Sequence, residues 1–251
     1  MFDLTGKVAI VTGGGGGLGR PISVALAERG ADILVDDFDA GHLAATVKGV
    51  EALGRKCMAI TADLTSAHAM KEMADKAVDE FGKIDILVNV AGTNARFDAE
   101  EMPAEEFERV LRINVLGMFL ACQAVGRVMI EQKQGVIVNM SSVRGRVAPG
   151  MGGSAYATSK GGVDQLTRTL AAEWAKHGIR VNAVAPALIM TDMTRDFLSK
   201  PEVYAKMTAE IPMHRLGEPH ELIGPVVLLA SDESSFMTGQ IVYVDGGLSA
   251  V

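Results

Sequence analysis

A tyrosine and a lysine that stand four residues apart, Tyr156 and Lys160, have side chains suited to acid–base chemistry. The run around them has a helical pattern, and this spacing places both side chains on one face of a helix. A free tyrosine has a pKa of about 10 and is a poor base at neutral pH. A nearby ammonium group favours the phenolate and lowers that pKa. The pair therefore predicts proton transfer, although the same spacing occurs by chance in many proteins.

Two further polar side chains, Ser142 and Asn114, support this interpretation by their positions. Ser142 follows Ser141 at the end of a predicted buried strand, and open α/β sheets hold their ligands at the carboxyl ends of strands. Asn114 lies in the middle of a predicted helix, where asparagine is unfavourable without a hydrogen-bond partner. We therefore expect a helix kink at Asn114 that is filled by ordered water.

Five consecutive glycines, Gly13 to Gly17, are followed by Leu18 and Gly19 at the junction of a predicted strand and a predicted helix. Glycine permits a sharp turn and lets backbone N–H groups approach a pyrophosphate at the N-terminus of a helix. No Lys-Ser/Thr pair follows the last glycine, which excludes a P-loop. The segment predicts a dinucleotide site, and the alternative is a glycine-rich surface turn.

The second predicted strand ends in Asp36, Asp37, Phe38 and Asp39. A carboxylate about 20 residues after the glycines accepts hydrogen bonds from both hydroxyls of an adenosine ribose, and it repels a 2′-phosphate. We expect Asp37 to be the ribose ligand, Asp36 to face the other side of the strand, and Arg20 to point away along the helix. The pattern favours NAD over NADP, and the alternative is an ordinary solvated acidic turn.

Short apolar runs that alternate with amphipathic stretches would position these groups. The runs are rich in Val, Ile and Leu, which is typical of strands covered on both faces. The predicted strands are 8–12, 32–35, 56–61, 84–89, 136–140, 180–184 and 241–244. The predicted helices are 18–29, 40–53, 67–81, 103–132, 154–177 and 219–230. The alternation predicts one domain over 1–251, of α/β class: a single Rossmann-type, doubly wound, parallel seven-stranded sheet with helices on both faces.

One irregular stretch, 187–217, interrupts the alternation and is predicted to be a substrate lid within the domain. It carries four methionines, Met190, Met193, Met207 and Met213. Methionines at irregular spacing are more often gap-fillers in a core, and this alternative stays open.

The composition argues against several other classes of protein. Hydrophobic residues make up 48% of the chain and charged residues 22%, which is ordinary for a globular protein. The net charge of −7 argues against nucleic-acid or anionic-membrane partners, and no apolar run reaches the roughly 18–20 residues of a membrane span. The two cysteines and five histidines lack metal-ligand spacing, so no metal site is predicted. A reducing cytoplasm is the simplest compartment.

Taken together, these motifs resemble those of the short-chain dehydrogenase/reductase family over essentially the whole chain. The matching segments are 12–19, 63–64, 89–92, 114, 142, 156–160, 186–191 and 244–247. The resemblance implies transfer of a hydride between a secondary alcohol and a nicotinamide cofactor, with a ketone as the other substrate form.

The resemblance also implies roles for individual residues. Tyr156 would be the general acid/base, Lys160 would hold the nicotinamide ribose, and Ser142 would bond the substrate oxygen. Asn114 would anchor a water of the proton relay. The implied cofactor-binding residues are Gly13, Gly16, Gly17, Leu18, Gly19, Asp37, Phe38, Asp63, Leu64, Asn89, Ala91, Gly92, Tyr156, Lys160, Pro186, Ile189 and Thr191.

The chain departs from the family pattern at three places. Val90 stands where a second asparagine is common, and Ala187 stands where glycine is usual. The segment between Ser142 and Tyr156 is one residue longer than expected, so the loop 144–153 is predicted to reshape the pocket. None of these departures removes a candidate catalytic group.

Substrate identity is less determined by the sequence. The segments 93–97 and 211–219 are most similar to sugar-acid dehydrogenases of the gluconate 5-dehydrogenase and ketodeoxygluconate dehydrogenase type. Arg96, Arg144 or Arg146 would then bind a substrate carboxylate, with Met190 as a further substrate contact; the alternative is that these arginines are solvated surface residues. The competing activity is reduction of a 3-oxoacyl thioester of acyl carrier protein. The resemblance also implies a homotetramer.

Three other classes are less consistent with the motifs. A non-catalytic NAD sensor would not need Ser142, Tyr156 and Lys160 together. A nucleotide-sugar epimerase would need a larger C-terminal region, and an enoyl reductase would space its tyrosine and lysine more widely.

Overall fold

Seven short parallel strands form the centre of the fold, in the order β3-β2-β1-β4-β5-β6-β7. The computed structural model describes residues 1–148, 152–191, 194–195 and 198–250. The strands are β1 (Val8–Thr12), β2 (Asp32–Asp36), β3 (Cys57–Ile60), β4 (Ile86–Asn89), β5 (Gly135–Met140), β6 (Ile179–Pro186) and β7 (Ile241–Val244). Every residue of β1 and β4 is buried, as the apolar runs predict. The predicted seven-stranded parallel sheet is therefore confirmed.

Helices cover both faces of this sheet. They are α1 (Gly19–Glu28), α2 (Ala40–Glu51), α3 (Ala67–Phe81), α4 (Ala104–Leu111), α5 (Met118–Gln132), α6 (Ser154–Trp174), α7 (Pro201–Ala209) and α8 (Ile223–Ala230). Residues of α1, α2 and α8 pack against one face of the sheet, and residues of α3, α5 and α6 pack against the other. This two-sided packing is the predicted doubly wound arrangement.

The long helix predicted over 103–132 is three consecutive pieces. A π-helical turn, Arg112–Gly117, separates α4 from α5. The whole run Ala104–Gln132 is long and apolar enough to cross a membrane by length and composition alone, although charged residues such as Arg109, Arg112 and Arg127 interrupt its apolar residues. Half of its most apolar window is buried inside the fold, and residues of the run such as Val125 and Met129 belong to the core on one face of the sheet.

A chain of buried polar side chains crosses the sheet interior at the ends of the central strands. Asn89 donates to Asn139 Oδ1 at 2.9 Å and to Cys122 Sγ at 3.2 Å, and Asn139 donates to Thr167 Oγ1 at 3.0 Å. Thr12 Oγ1 lies 3.5 Å from Asn89 Oδ1. These bonds connect β1, β4 and β5 to α6, and they satisfy polar groups whose burial would otherwise be costly.

The strand order reverses between β1 and β4, because the chain runs outward through β2 and β3 on one side and through β5 to β7 on the other. A crevice at the carboxyl ends of the strands beside this reversal is where such sheets bind ligands. Both Thr12 and Asn89 end their strands there and are paired in register. The candidate residues that follow these strands therefore meet at one edge of the sheet.

The predicted lid, 187–217, leaves this edge after β6 and returns to it. A parallel bridge pairs Ile189 with Gly217, and Met190 N–H donates to Gly217 O at 3.1 Å. The excursion has a small apolar cluster of its own, formed by Leu198, Met207, Ile211 and Leu216, with Leu188, Met190 and Val203 packed against it. Met207 and Met190 thus fill apolar space, whereas Met213 is 59% exposed. Met193 lies outside the described residues.

Candidate active site

Tyr156 and Lys160 lie in the first turns of α6 and share a face of it, as their spacing predicts. Lys160 is buried, and its ammonium donates to the Met140 carbonyl at the end of β5 at 2.8 Å. The same ammonium lies 5.5 Å from the centroid of the Tyr156 ring. Burial lowers the pKa of Lys160 to about 8, and the neighbouring Asp164 carboxylate raises it in part. Lys160 is therefore still mainly cationic at neutral pH.

The hydroxyl of Tyr156 is adjacent to the end of β5, where Ser142 and Arg144 lie. Burial raises the pKa of Tyr156, and the Ser142 hydroxyl and the Arg144 charge lower it in part. We expected the ammonium of Lys160 to lower this pKa. The protein groups alone raise it, because desolvation of the phenolate is the larger effect and the ammonium is bonded to a backbone carbonyl.

Ser142 lies two residues after the end of β5 and caps a short 3₁₀ turn, Val143–Gly145. Its Oγ accepts a hydrogen bond from Arg144 N–H at 3.2 Å and lies 3.4 Å from the Pro186 carbonyl. Its neighbours therefore come from β5, β6 and α6, and the hydroxyl is held where these elements converge. Part of the following loop, 149–151, lies outside the described residues, so the expected effect of its extra residue stays a prediction.

Asn114 lies in the π-helical turn and is fully buried. Its side chain accepts from Thr93 N–H at 2.8 Å and donates to Thr93 O at 2.9 Å and to Ser159 Oγ at 3.0 Å. Ser159 Oγ in turn donates to the Tyr156 carbonyl at 2.7 Å. The helix break expected at Asn114 is thus a π-helical turn, and its side chain is bonded to protein groups, whereas the ordered water stays a prediction.

The glycine-rich loop joins β1 to α1 as predicted. Gly13 has a φ of 66°, and a Cβ there would lie 2.8 Å from the backbone of Ala91. A Cβ on Gly19 would lie 2.0 Å from Gly13 O, so no larger residue fits. Among the described residues, no protein acceptor takes the N–H groups of Gly17 and Leu18 at the start of α1. Free N–H groups at a helix N-terminus fit the pyrophosphate of a dinucleotide.

Asp37 and Arg20 hold the same glycine from two sides. Asp37 Oδ2 accepts from Gly15 N–H at 3.0 Å, and Arg20 donates to Gly15 O through Nε at 3.1 Å and Nη2 at 2.7 Å. The expectation that Arg20 points away is therefore wrong, since the loop carbonyl is a strong acceptor within reach of the guanidinium. The Asp37 carboxylate also accepts from Asp39 N–H at 3.1 Å, and its residue is only 8% exposed.

Asp36 lies on the other side of the strand, as predicted. Its Oδ1 accepts from Ala62 N–H at 3.0 Å, and it is fully buried beside β3. Burial raises the pKa of Asp36 to about 7, the hydrogen bond from Ala62 lowers it in part, and the charge of Asp37 adds to the increase. Asp36 and Asp37 therefore have different environments although they are adjacent in the sequence.

The remaining candidate cofactor residues fall into two groups. Asp63 caps its own turn by accepting from Thr65 N–H and Oγ1, both at 2.8 Å, and these bonds lower its pKa. Thr191 N–H donates to Thr194 Oγ1 at 2.9 Å at the start of the excursion. The second group has apolar side chains or none, and consists of Leu64, Ala91, Gly92, Pro186, Ile189 and Phe38, of which Phe38 is 85% exposed. The side chain of Asn89 is bonded to Asn139 and Cys122 in the interior.

The candidate substrate arginines are not equivalent. Arg144 is half-buried, and its pKa is lowered by burial and by Arg96 and raised by Glu210 and Tyr156. These four charged or polar groups therefore face one region. The expectation for Arg146 is not supported, because its guanidinium lies 5.5 Å from the centroid of the Tyr243 ring, in a separate groove.

Sequence reasoning missed Arg109 and Glu210. Arg109 donates to Thr93 Oγ1 at 2.9 Å and to Asn94 O at 3.2 Å, and so fixes the loop that follows β4. Glu210 follows the last residue of α7, and the fold of the excursion brings it close enough to act on Arg144. Neither has a sequence motif that could have revealed it. Among the described residues, no group of three or more His, Cys, Asp or Glu could hold a metal ion.

Comparison with known proteins gives matches over nearly the whole chain. A family model described as Enoyl-(Acyl carrier protein) reductase matches residues 13–249. The galactitol 2-dehydrogenase (L-tagatose-forming) of Cereibacter sphaeroides is 42% identical over 98% of this chain and 96% of its own length. The 2-dehydro-3-deoxy-D-gluconate 5-dehydrogenase of Escherichia coli K12 is 39% identical, with the same two coverages. The 3-oxoacyl-(acyl-carrier-protein) reductase of Thermotoga maritima is 40% identical over 98% of each chain.

Solved structures give the same result. An NAD+-bound xylitol dehydrogenase has a TM-score of 0.94 and 36% identity, and the match covers 97% of this chain and 99% of that one. A gluconate 5-dehydrogenase from Burkholderia cenocepacia, in complex with NADP and tartrate, has a TM-score of 0.95 and 32% identity over 100% and 98% of the two chains. Relatives with either nicotinamide cofactor therefore share this fold.

Proposed function

This chain belongs to the short-chain dehydrogenase/reductase family, and we propose that it is an NAD(H)-dependent dehydrogenase of a small polar substrate. The reaction interconverts a secondary alcohol and a ketone, on a sugar acid, a polyol or a similar compound. The observation that carries the proposal is the convergence of Ser142, Tyr156 and Lys160 at the edge of the sheet where the glycine-rich loop also lies. A bound nicotinamide ring accepts the hydride in oxidation and supplies it in reduction.

In this proposal the chain itself handles the proton. The hydroxyl of Tyr156 exchanges the proton with the substrate oxygen, and Ser142 donates a hydrogen bond to that oxygen. The ammonium of Lys160 orients the cofactor ribose from a position 5.5 Å from the centroid of the Tyr156 ring. Asn114 anchors a water through which the proton leaves. The bonds from Asn114 to Ser159, and from Ser159 to the Tyr156 carbonyl, support this route because they fix Asn114 to the same helix turn.

The proposed preference for NAD over NADP rests on the environment of Asp37. The carboxylate is nearly buried beside the glycine loop, where a 2′-phosphate would meet its negative charge. Arg20, which directly follows the loop, is already engaged with Gly15 O. Relatives that bind NAD and NADP both exist, so the family alone does not decide the cofactor.

The proposed substrate class is supported by Arg144. A guanidinium two residues after Ser142 and beside Tyr156 can bind a carboxylate or several hydroxyls of a sugar acid while the proton moves. Arg96 acts on the same region, and Met190 belongs to the excursion whose Glu210 also acts on Arg144. The galactitol and 2-dehydro-3-deoxy-D-gluconate dehydrogenases among the relatives agree with this class.

The second candidate function is reduction of a 3-oxoacyl thioester, which the relative from Thermotoga maritima favours. An enoyl reductase is disfavoured by the spacing of four residues between Tyr156 and Lys160. A screen of polyols, sugar acids, cyclic alcohols and hydroxyacyl thioesters, each with NAD and with NADP, separates these functions by absorbance at the nicotinamide band. We expect activity with NAD and a polyol or sugar acid. Activity confined to NADP and thioesters would overturn both the cofactor and the substrate proposal.

Three wider features belong to the same proposal. The excursion 187–217 acts as a lid, and its single bridged base and separate apolar cluster support this. The enzyme assembles as a homotetramer, which is consistent with exposed apolar side chains such as Leu116 and Phe236. It functions in the cytoplasm, where the two free cysteines, Cys57 and Cys122, would stay reduced.

A further inference from the structure

The catalytic helix carries a buried carboxylate, Asp164, that the proton chemistry above does not use. It lies one turn after Lys160 and is only 4% exposed. A carboxylate in such a place is costly to bury unless its oxygens are bonded or close to a cation. Its contacts therefore indicate what it does for the fold of the site.

The first carboxylate oxygen of Asp164 holds the end of β5. Ser141 Oγ donates to Asp164 Oδ1 at 2.5 Å and lies 3.5 Å from the Lys160 carbonyl. Ser141 precedes Ser142 directly, so this bond fixes the backbone from which the Ser142 side chain extends. The bond to the Asp164 carboxylate thus joins the end of β5 to the turn of α6 that contains Lys160 and Asp164.

The second oxygen of Asp164 lies close to the other end of the same segment. A Cβ on Gly145 would lie 2.7 Å from Asp164 Oδ2 and 2.9 Å from the Lys160 carbonyl. Gly145 therefore packs directly on this turn of α6, and no other residue could approach so closely. Ser142 and Arg144 lie between the two points that Asp164 contacts.

We propose that Asp164 is a positioning residue for the dehydrogenase reaction, which fixes Ser142 and Arg144 against Tyr156 and supplies a negative charge next to the ammonium of Lys160. The proposal rests on the proposed function, because it assigns Asp164 a role only through those groups. Asp164 acts through these groups and is not itself proposed to contact the substrate or the cofactor.

The charged groups around Asp164 determine the sign of its effect. Lys160 and Arg168 face Asp164 from the same helix, α6. Arg146 and Tyr243 line the surface groove to which Asp164 also contributes. Burial raises the pKa of Asp164, and Ser141, Arg168 and Lys160 lower it in part. The Asp164 charge raises the pKa of Lys160, so its removal moves the loss of the ammonium to lower pH.

The test compares Asp164→Asn with Ser141→Ala and with Glu173→Gln, an exposed carboxylate on the same helix that serves as the matched control. Asp164→Asn keeps the size and one acceptor oxygen but removes the charge. We expect its kcat to fall about tenfold or more, with the KM for NAD changed less than about threefold, as when one interaction of a contacting network is lost. Its pH–rate profile should also move to lower pH. A purely structural role would lower activity equally at every pH.

Ser141→Ala removes the bond and leaves the charge. We expect kcat to fall while the alkaline limb of the profile stays in place, and the double variant to be less impaired than the product of the two single effects. If Asp164→Asn does not fold, the Ser141→Ala variant tests the proposal alone. An unchanged kcat in Ser141→Ala would then overturn it. Unchanged kcat and pH profile in a folded Asp164→Asn would overturn it as well.

A Tyr156→Phe variant separates this inference from the proposed function. Full activity in Tyr156→Phe means that the proposed function fails. Loss of activity in Tyr156→Phe together with a normal Asp164→Asn means that only the role of Asp164 fails.

Discussion

Replacement of Asp37 by asparagine should weaken the preference for NAD, and its magnitude can be worked from the structure. The carboxylate lies against the glycine loop and is 8% exposed, so its charge is only partly screened by water. Two unit charges about 5 Å apart interact by about 3 kcal/mol at an effective dielectric constant of about 20. That energy corresponds to a discrimination of about a hundredfold against a 2′-phosphate.

The same change also weakens hydrogen bonds to the ribose. A hydrogen bond to a charged group contributes about 1.5–3 kcal/mol, which is about a tenfold to hundredfold change in affinity. We therefore expect Asp37→Asn to raise the KM for NAD at least tenfold and to improve binding of NADP. The ratio of kcat/KM for NAD to that for NADP should fall about a hundredfold or more.

The assay is fluorescence titration with NADH and NADPH at fixed ionic strength, together with kcat/KM for the best substrate of the screen. Asp39→Asn is the matched control, because Asp39 is two residues away and more exposed, and asparagine preserves its cap on Gly41 N–H. If Asp37→Asn leaves the ratio of NADH to NADPH affinity unchanged, the assignment of Asp37 to the ribose is refuted.

Four further predictions follow from the site. Tyr156→Phe should lower kcat by about a hundredfold or more while NADH still binds, since only the proton donor is lost; full activity in steady-state assays would contradict the role of Tyr156. Arg144→Ala should raise KM about tenfold or more for sugar acids and much less for uncharged polyols, so equal effects on the two would argue against carboxylate binding. Because the pKa of Asp36 is raised to about 7, folded protein binds a proton that unfolded protein releases, and stability should fall as pH rises from about 4 to about 7. Thermal melts of Asp36→Asn should lack this decline, and a decline equal to that of the unaltered chain would show that Asp36 does not cause it. NAD should slow proteolysis within 187–217, and equal cleavage with and without NAD would count against closure.

The sheet was predictable because its cause is local. Runs of Val, Ile and Leu that are buried on both faces, separated by helical stretches, leave few arrangements other than a parallel doubly wound sheet. The spacing of Tyr156 and Lys160 on one helix, and the place of Ser142 at a strand end, follow from the same regularity. These residues meet because parallel strands all end at one edge.

The features that sequence reasoning missed depend on contacts between distant segments. Asn114 was recognised as unusual within a helix, but its partners Thr93 and Ser159 are brought to it only by tertiary packing. Arg20 turns back because the carbonyl of Gly15 lies within its reach once the loop has folded. Arg146 lies in a separate groove because its guanidinium packs over the ring of Tyr243, which is almost a hundred residues away in the sequence.

The electrostatics of Tyr156 were also out of reach of sequence patterns. The expected lowering of its pKa requires an ammonium directed at the hydroxyl, whereas the structure directs it at the Met140 carbonyl. Desolvation depends on every residue packed around the ring, and no motif encodes it. Burial therefore reverses the direction that the motif alone predicts.

The 187–217 excursion is joined to the rest of the molecule at its base and at its far end, and this constrains how it could be exchanged. Its two ends meet at the Ile189–Gly217 bridge, and its apolar cluster is formed by its own residues. Its far end is also joined to the segment after β7, because Met213 N–H donates to Gly246 O at 3.1 Å and Ile211 packs closely on Gly246. A transplanted segment from another enzyme would therefore have to match both contacts. Because the excursion carries the proposed cofactor residues Ile189 and Thr191 as well as the proposed substrate contact Met190, we expect its exchange to alter cofactor binding and substrate range together.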